Sequence, residues 1–273
     1  MGFLDPISEV LGTILAAVYS FVPSFGISII ILTVIVMIIT FPLTLRQTRS
    51  SRAMQEIQPQ IKQLQKKHKD EPEKLQKEML ALYKEKGVNP AGCLFPMLIQ
   101  MPIWFALFQL LRMPEDYLDP STELAQSIGA GDTGFLGVDL TESASMVISA
   151  GGGVLGVFPY VVMAVLMVGS QFIQQRQMTP PSAGQDRQAR QMQNIMKFLP
   201  ILFGYFAFIM PAGLVLYWVT SNLFRIGQGQ IIIKMEGKPG QPPAEKAERE
   251  REPNPKPKKP QGSTKKRNRR RRK

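Results

Sequence analysis

Residues 24–43 read SFGISIIILTVIVMIITFPL, twenty positions without one charged side chain. At 1.5 Å per residue a helix of that length reaches about 30 Å, the thickness of a bilayer's hydrocarbon core. The next base is Arg46, which opens a block of eleven Lys and Arg residues ending at Lys86. Outward from there the alternation recurs, with further apolar runs at Leu94–Leu111, Val154–Phe172, Phe198–Met210 and Gly213–Ile233. Basic blocks fill Arg176–Lys197 and Lys234–Lys273, whereas Met113–Gly153 carries seven carboxylates and no base. In a membrane protein Lys and Arg beside helix ends stay on the cytoplasmic side, and Asp and Glu weigh little. The charge map therefore predicts an all-α integral membrane protein with five transmembrane helices, N-terminus outside and C-terminus cytoplasmic.

The expected spans are about 24–43, 94–112, 154–174, 192–210 and 213–233. The fourth is short when counted from Phe198 and reaches spanning length by starting near Met192, with Pro200 kinking it. Met210-Pro211-Ala212-Gly213 then forms a tight outer turn. Residues 1–23 form a separate unit, since Ile7, Val10, Leu11, Ile14, Leu15, Val18 and Tyr19 recur at helical spacing behind Pro6, and Val22-Pro23 ends the run. An N-terminal interfacial amphipathic helix on the outer side is expected there. Between the first two spans, Met54, Ile57, Ile61 and Leu64, then Leu75, Met79 and Leu82, predict a cytoplasmic helical hairpin over 47–87. Lys66–Pro72 breaks it, and Asp70 or Glu71 stands at the second helix's cap ahead of Pro72. The outer acidic loop is 113–153.

Whole-chain averages conceal this order, since the mean hydropathy is near zero and 20% of residues are charged. The N-terminus lacks the basic region and small-residue cleavage site of a secretory signal. Cys93 is the only cysteine, so a disulfide within the chain and a cysteine metal site are excluded. His68, the one histidine, reads as a solvated side chain among lysines. Glu115, Asp116 and Asp119 read as a solvated loop rather than a metal site. No phosphate-binding G-x-x-x-x-G-K-[ST] string occurs, and no catalytic, metal or cofactor set is expected; the chain is not read as an enzyme.

Polar side chains inside the apolar runs form stripes. Thr33 and Thr40 share a face of the first span with Met37 between them. Gln100 is a strongly polar side chain in the second. Gln171, Gln174 and Gln175 end the third, with Gln171 and Gln175 on one face. Trp218, Ser221, Asn222, Arg225 and Gln228 make a continuous polar face on the fifth. Such residues either bond helix to helix or line a wet cavity, and four stripes in one chain favour the cavity.

Specific strings narrow the reading. Phe41-Pro42-Leu43-Thr44 is followed by Arg52-Ala53-Met54-Gln55 and Gln58-Pro59-Gln60-Ile61. Then come Met79-Leu80-Ala81-Leu82-Tyr83, Val88-Asn89-Pro90, the run Cys93-Leu94-Phe95-Pro96-Met97-Leu98-Ile99-Gln100-Met101-Pro102-Ile103, and Leu216-Tyr217-Trp218-Val219-Thr220-Ser221-Asn222-Leu223. In this order and spacing the chain, from about Val22 to Ile233, resembles the YidC/Oxa-type membrane protein insertases. Neither the outer domain nor the lipoprotein cysteine of some members is found, so a compact bacterial form in the cell membrane is expected. The resemblance implies a five-helix core with an inner-side hydrophilic groove that receives the polar outer segment of a client while its apolar helix moves into the bilayer. The implied client-binding set is Arg225, Asn222, Ser221, Trp218, Tyr217, Thr33, Met37, Thr40, Gln100, Gln171 and Gln175. One departure stands out. The resemblance places a groove arginine five residues before Pro42, where this chain has Met37. Arg225, twelve residues beyond Gly213 and so about 18 Å along the last span, is the candidate replacement; the alternative is an arginine snorkelling to the inner headgroups.

The stretch 234–273 has almost no apolar content and cannot form a core. It is read as a disordered basic tail, ending in Lys265, Lys266, Arg267, Arg269, Arg270, Arg271, Arg272 and Lys273. Ribosomal RNA and anionic lipids both fit such a tail. The expected partners are nascent membrane proteins, the ribosome and anionic lipids, and a monomer is sufficient. Whether the chain works alone or beside the Sec translocon is left open. Two other readings are a small transporter or channel, which the lack of an internal repeat disfavours, and a ribosome-tethering anchor, which leaves the polar faces unexplained.

Overall fold

A computed structural model describes residues 4–88, 95–178, 198 and 200–236. The architecture is helical: α1 (Asp5–Phe21), α2 (Phe25–Lys67), α3 (Pro72–Glu85), α4 (Phe95–Arg112), α5 (Glu123–Gly129), α6 (Ala144–Ser149), α7 (Val154–Met178), α8 (Pro200–Ile209) and α9 (Ala212–Glu236). Two elements depart from an all-α reading, the two-residue strands β1 (Gly134–Phe135) and β2 (Val138–Asp139), paired antiparallel. By length and composition α2 and α7 can each cross a membrane. Helix α9 packs most extensively against α7 and α2, and α1 against α4.

No helix break separates the expected first span from the hairpin, because α2 runs unbroken through Pro42 and Pro59 for 43 residues. A proline frees a carbonyl one turn back, and nearby hydroxyls can satisfy groups of this kind. On either side of Pro42, Thr40 Oγ1 donates to Val36 O (2.8 Å), Thr44 Oγ1 to Thr40 O (3.1 Å) and Thr48 Oγ1 to Thr44 O (2.9 Å), which reinforces the flanking turns rather than the freed Ile38 carbonyl itself. The outer half of α2 buries Phe25, Ile29, Leu32, Val36 and Met37 in the main core. Its last turns extend past the bundle and fold back onto α3.

His68 corrects its solvated reading. It lies at the tip of the hairpin, only 4% exposed, with Nε2 3.0 Å from Glu78 Oε2 and Nδ1 4.0 Å from Glu71 Oε2. It joins the end of α2 to α3.

One apolar face of α1 packs against protein. Leu11, Leu15 and Tyr19 enter the main core, and Ser8 Oγ lies 3.2 Å from Ala106 O and 3.3 Å from Gln109 Oε1. Tyr19 OH donates to Ser127 Oγ at 2.8 Å. Val22 is extended, so α1 does not continue into α2.

Residues 113–153 form a built cap, not a loose loop. Thr122 and Ser143 cap α5 and α6 by accepting from the Ala125 and Met146 amides. Asp119 accepts from the Ser121 amide (2.8 Å) and hydroxyl (2.7 Å), which hold its carboxyl below the usual value. Around the strands, Asp139 Oδ1 accepts from Thr133 Oγ1 (2.7 Å), Thr141 Oγ1 (2.7 Å) and the Thr141 amide (2.9 Å). The cap ties three helix starts together. Phe135 sits against Gly26 of α2 so closely that a Cβ there would fall within the ring. Tyr160 of α7 accepts from the Asp139 amide at 3.0 Å. The Ala212 and Gly213 amides of α9 donate to Glu142 O and Leu140 O, each at 2.8 Å.

Candidate functional site: a polar network among α4, α7 and α9

Helix α9 begins at the cap and carries its polar residues down one side. Leu214, Val215 and Tyr217 are sealed in the core near the start. Two and three turns on, the interior becomes polar. Arg225 does not snorkel away from the bundle: its Nη2 donates to Gln100 Oε1 of α4 at 2.5 Å. Gln100 Nε2 in turn donates to the Tyr217 hydroxyl. One glutamine thus bridges a guanidinium and a phenol across the α4–α9 contact, presenting its carbonyl to the cation and its amide to the phenol oxygen. Both Gln100 and Arg225 are half-buried.

On the α7 side, Asn222 Nδ2 donates to Ser170 Oγ at 3.1 Å, and Ser170 donates onward to Met167 O at 2.9 Å. Ser221 Oγ donates to Tyr217 O, one turn back, at 2.6 Å. Gln228, 6% exposed, leaves its Nε2 buried without a hydrogen-bond partner among the described residues. A buried amide in that condition is costly unless something polar reaches it.

Above the network lies an aromatic cluster. Trp218 sits 5.3 Å from Trp104 of α4 and 5.1 Å from Phe203 of α8, the latter edge-on at 87°. Trp104 Nε1 is buried without a hydrogen-bond partner among the described residues. Sequence reading missed Trp104, Phe203 and Ser170, because an aromatic or a small hydroxyl in an apolar run gives no sign of which neighbour it meets.

The expected client-binding residues therefore divide. Gln100, Tyr217, Trp218, Ser221, Asn222 and Arg225 gather on the α4–α7–α9 side. Thr33 and Met37 are sealed in the protein, 0% and 3% exposed, and Thr33 Oγ1 donates to Ile29 O at 2.6 Å. As placed, Thr33 bonds back within α2 and Met37 packs into the core, and neither offers an open lining. Thr40, Gln171 and Gln175 are half-buried. The expected start of the fourth span at 192–197, Cys93 and the basic tail lie outside the described residues.

A family model described as 60Kd inner membrane protein matches residues 17–238. The chain belongs to that family. Among its relatives, the inner membrane ALBINO3-like protein 2, chloroplastic, of Chlamydomonas reinhardtii is 39% identical over 230 residues, 82% of this chain and 53% of its own length. A membrane protein insertase YidC of Wolinella succinogenes is 34% identical over 233 residues, 85% of this chain and 38% of its own. A crystal structure of an active YidC insertase with the first transmembrane domain resolved matches with a TM-score of 0.54 and 26% identity, over 84% of this chain and 46% of that one. The chain thus spans about half the length of these relatives, or less. It is a predominantly helical membrane protein of the 60Kd inner membrane protein family.

Proposed function

We propose that this chain is a membrane protein insertase that receives client segments beside Arg225 and releases their apolar helices into the bilayer. The observation that carries the reading is the inward Arg225–Gln100 pair at 2.5 Å. An arginine at the centre of a spanning helix costs about 2.5–3.5 kcal/mol on insertion scales, so such residues face interiors or wet cavities and mark function. A cation among apolar walls attracts a carboxylate far more strongly than it would in water. It would draw the acidic outer tail of a client partway across, while Gln100, Gln228 and Tyr217 offer hydrogen bonds to polar groups that lipid cannot satisfy. The relatives named as insertases support the same activity.

In this proposal α2 as far as Leu43, α4, α7, the 192–210 stretch containing α8, and α9 are the five spans of a bacterial cell membrane protein. The cap faces outside, and the α2–α3 hairpin and basic tail face the cytoplasm. The tail docks the ribosome through phosphate contacts, an interaction that weakens steeply with salt. The test is insertion of a single-span client with an acidic tail into proteoliposomes. Wild type is expected to insert it and Arg225→Ala to lose most of the activity; an unchanged rate in the variant would overturn the role of Arg225.

A further inference from the structure

The hairpin at 134–139 carries a side chain that water does not favour, in a conformation its residue type does not favour. Leu136 has φ +53° and Gly137 φ +81°, so both central residues of the two-residue turn are left-handed. Asn-Gly, Asp-Gly or Gly-Gly ordinarily fill such a turn. A leucine here is strained, and 83% of it is exposed. An apolar surrounding outside the protein would make that placement favourable.

Two helices measure where the tip lies. Helix α7 is uncharged and mostly apolar from Val154 to Ile173, about 30 Å at 1.5 Å per residue, which matches one hydrocarbon core. Val154 then marks the outer boundary, and Pro159 lies about 7 Å inside it. Gly137 is at this depth, since a Cβ on it would be 3.7 Å from Pro159 Cγ. The second ruler is α2, whose apolar run starts at Ser24. Gly26, which touches Phe135, is about 3 Å inside that start. Both rulers set the hairpin below the lipid boundary. Its neighbours on α7 agree: Val154, Leu155 and Phe158 are 87%, 89% and 62% exposed, an apolar face continuous with the rest of the span. Residues 133–138 carry no charge, and the Asp139 carboxylate that follows is held by the Thr133 and Thr141 hydroxyls and the Thr141 amide. The strands pair one edge of each other's backbone, so the tip's side chain enters lipid while the open edges stay at the wet interface.

We infer that the 134–139 hairpin is a lipid anchor, with Leu136 seated in the acyl region of the outer leaflet and the acidic cap held above it at a fixed depth. The inference rests on the proposed orientation of the chain in the membrane. It adds a membrane contact from outside the spanning helices, made by the segment that also ties α2, α7 and α9 together.

The test uses the full chain with Cys93→Ser in vesicles. An environment-sensitive dye is placed by Leu136→Cys, by Leu155→Cys as the lipid control, and by Gln126→Cys on the cap's exposed α5 as the aqueous control. The expected result is blue-shifted emission at 136, quenching by nitroxide on lipid chains, and protection from iodide several-fold greater than at 126. Iodide access at 136 equal to that at 126, with 155 protected, would overturn the anchor alone; access at both 136 and 155 would overturn the membrane orientation as well. A measurement without substitution at 136 guards against misfolding. Photoactivated diazirine lipid should label the peptide containing Leu136 in the unaltered chain, and labelling of α7 with none on 133–139 would count decisively against the anchor.

Discussion

Arg225 and Gln100 meet across the α4–α9 interface at 2.5 Å, which makes the guanidinium an interior group with a neutral partner. A neutral partner leaves the full positive charge available to an incoming carboxylate. The first prediction follows from that. Arg225→Ala should lower insertion of an acidic-tailed client by about tenfold, equivalent to ~1.4 kcal/mol, and Arg225→Lys should lose less. Clients with neutral tails should be affected least. Adding Met37→Arg to Arg225→Ala tests whether the charge can work from α2; because Met37 is sealed in the core, restoration should be partial. Initial insertion rates across the series provide the check.

Gln100 carries a separate expectation. Gln100→Leu removes the acceptor for Arg225 and the donor to Tyr217 together. Losing one partner of a buried hydrogen bond costs about 1–3 kcal/mol, so the thermal midpoint in detergent should fall. Gln100→Glu should instead hold Arg225 in an ion pair and slow insertion of acidic clients, although the fold is retained. Faster insertion by Gln100→Glu would contradict the role given to the free charge.

Gly26 must stay bare. Gly26→Val would drive its side chain into the Phe135 ring, and overpacking of this kind costs about 1–3 kcal/mol. The loss should appear as faster hydrogen exchange in residues 133–142, with the α2–α3 hairpin unaffected. Pairing Gly26→Val with Phe135→Ala should recover part of it.

Asp139 gives the cap a pH dependence. Burial acts to raise its carboxyl, but hydrogen bonds from the Thr141 and Thr133 hydroxyls and from the Thr141 and Glu142 amides outweigh it and hold the group below the usual value. The folded value therefore lies under the unfolded one of about 3.9. The stabilisation is complete above that unfolded value and is lost as pH falls through the folded one. Exchange in 133–142 should rise on acidification below about pH 4. Asp139→Asn should show raised exchange already at neutral pH and little further change in acid.

His68 predicts a local effect at the opposite end. His68→Ala opens the buried contact at the hairpin tip, where Nε2 lies 3.0 Å from Glu78 Oε2, and should make α3 exchange faster. The exchange of α9 should not move.

Much of this organisation was legible in one dimension. Apolar runs of spanning length and the sorting of Lys and Arg are local, additive properties, and they located α4, α7, α9 and the break at Val22-Pro23. The polar spacing on α9 named Arg225, Asn222 and Ser221 because a helix repeats every 3.6 residues, whatever its neighbours. Partnership is not local. Whether Arg225 reached headgroups or turned onto Gln100 depended on 125 positions of intervening chain. Whether Thr33 lined a groove or closed on Ile29 depended on what packed over it. His68 looked solvated beside its lysines because Glu78 is ten residues away and meets it only when the hairpin folds. The unbroken passage of α2 through two prolines also lay beyond sequence reading, since proline's local cost is certain and its compensation by other groups depends on context. The sequence alone determined where most helices begin, which stretches suit lipid and how the charges sort along the chain, because these follow from each segment's own hydration and periodicity. Only the tertiary structure decided which polar groups meet and which are sealed away, because burial and hydrogen bonding belong to pairs of segments.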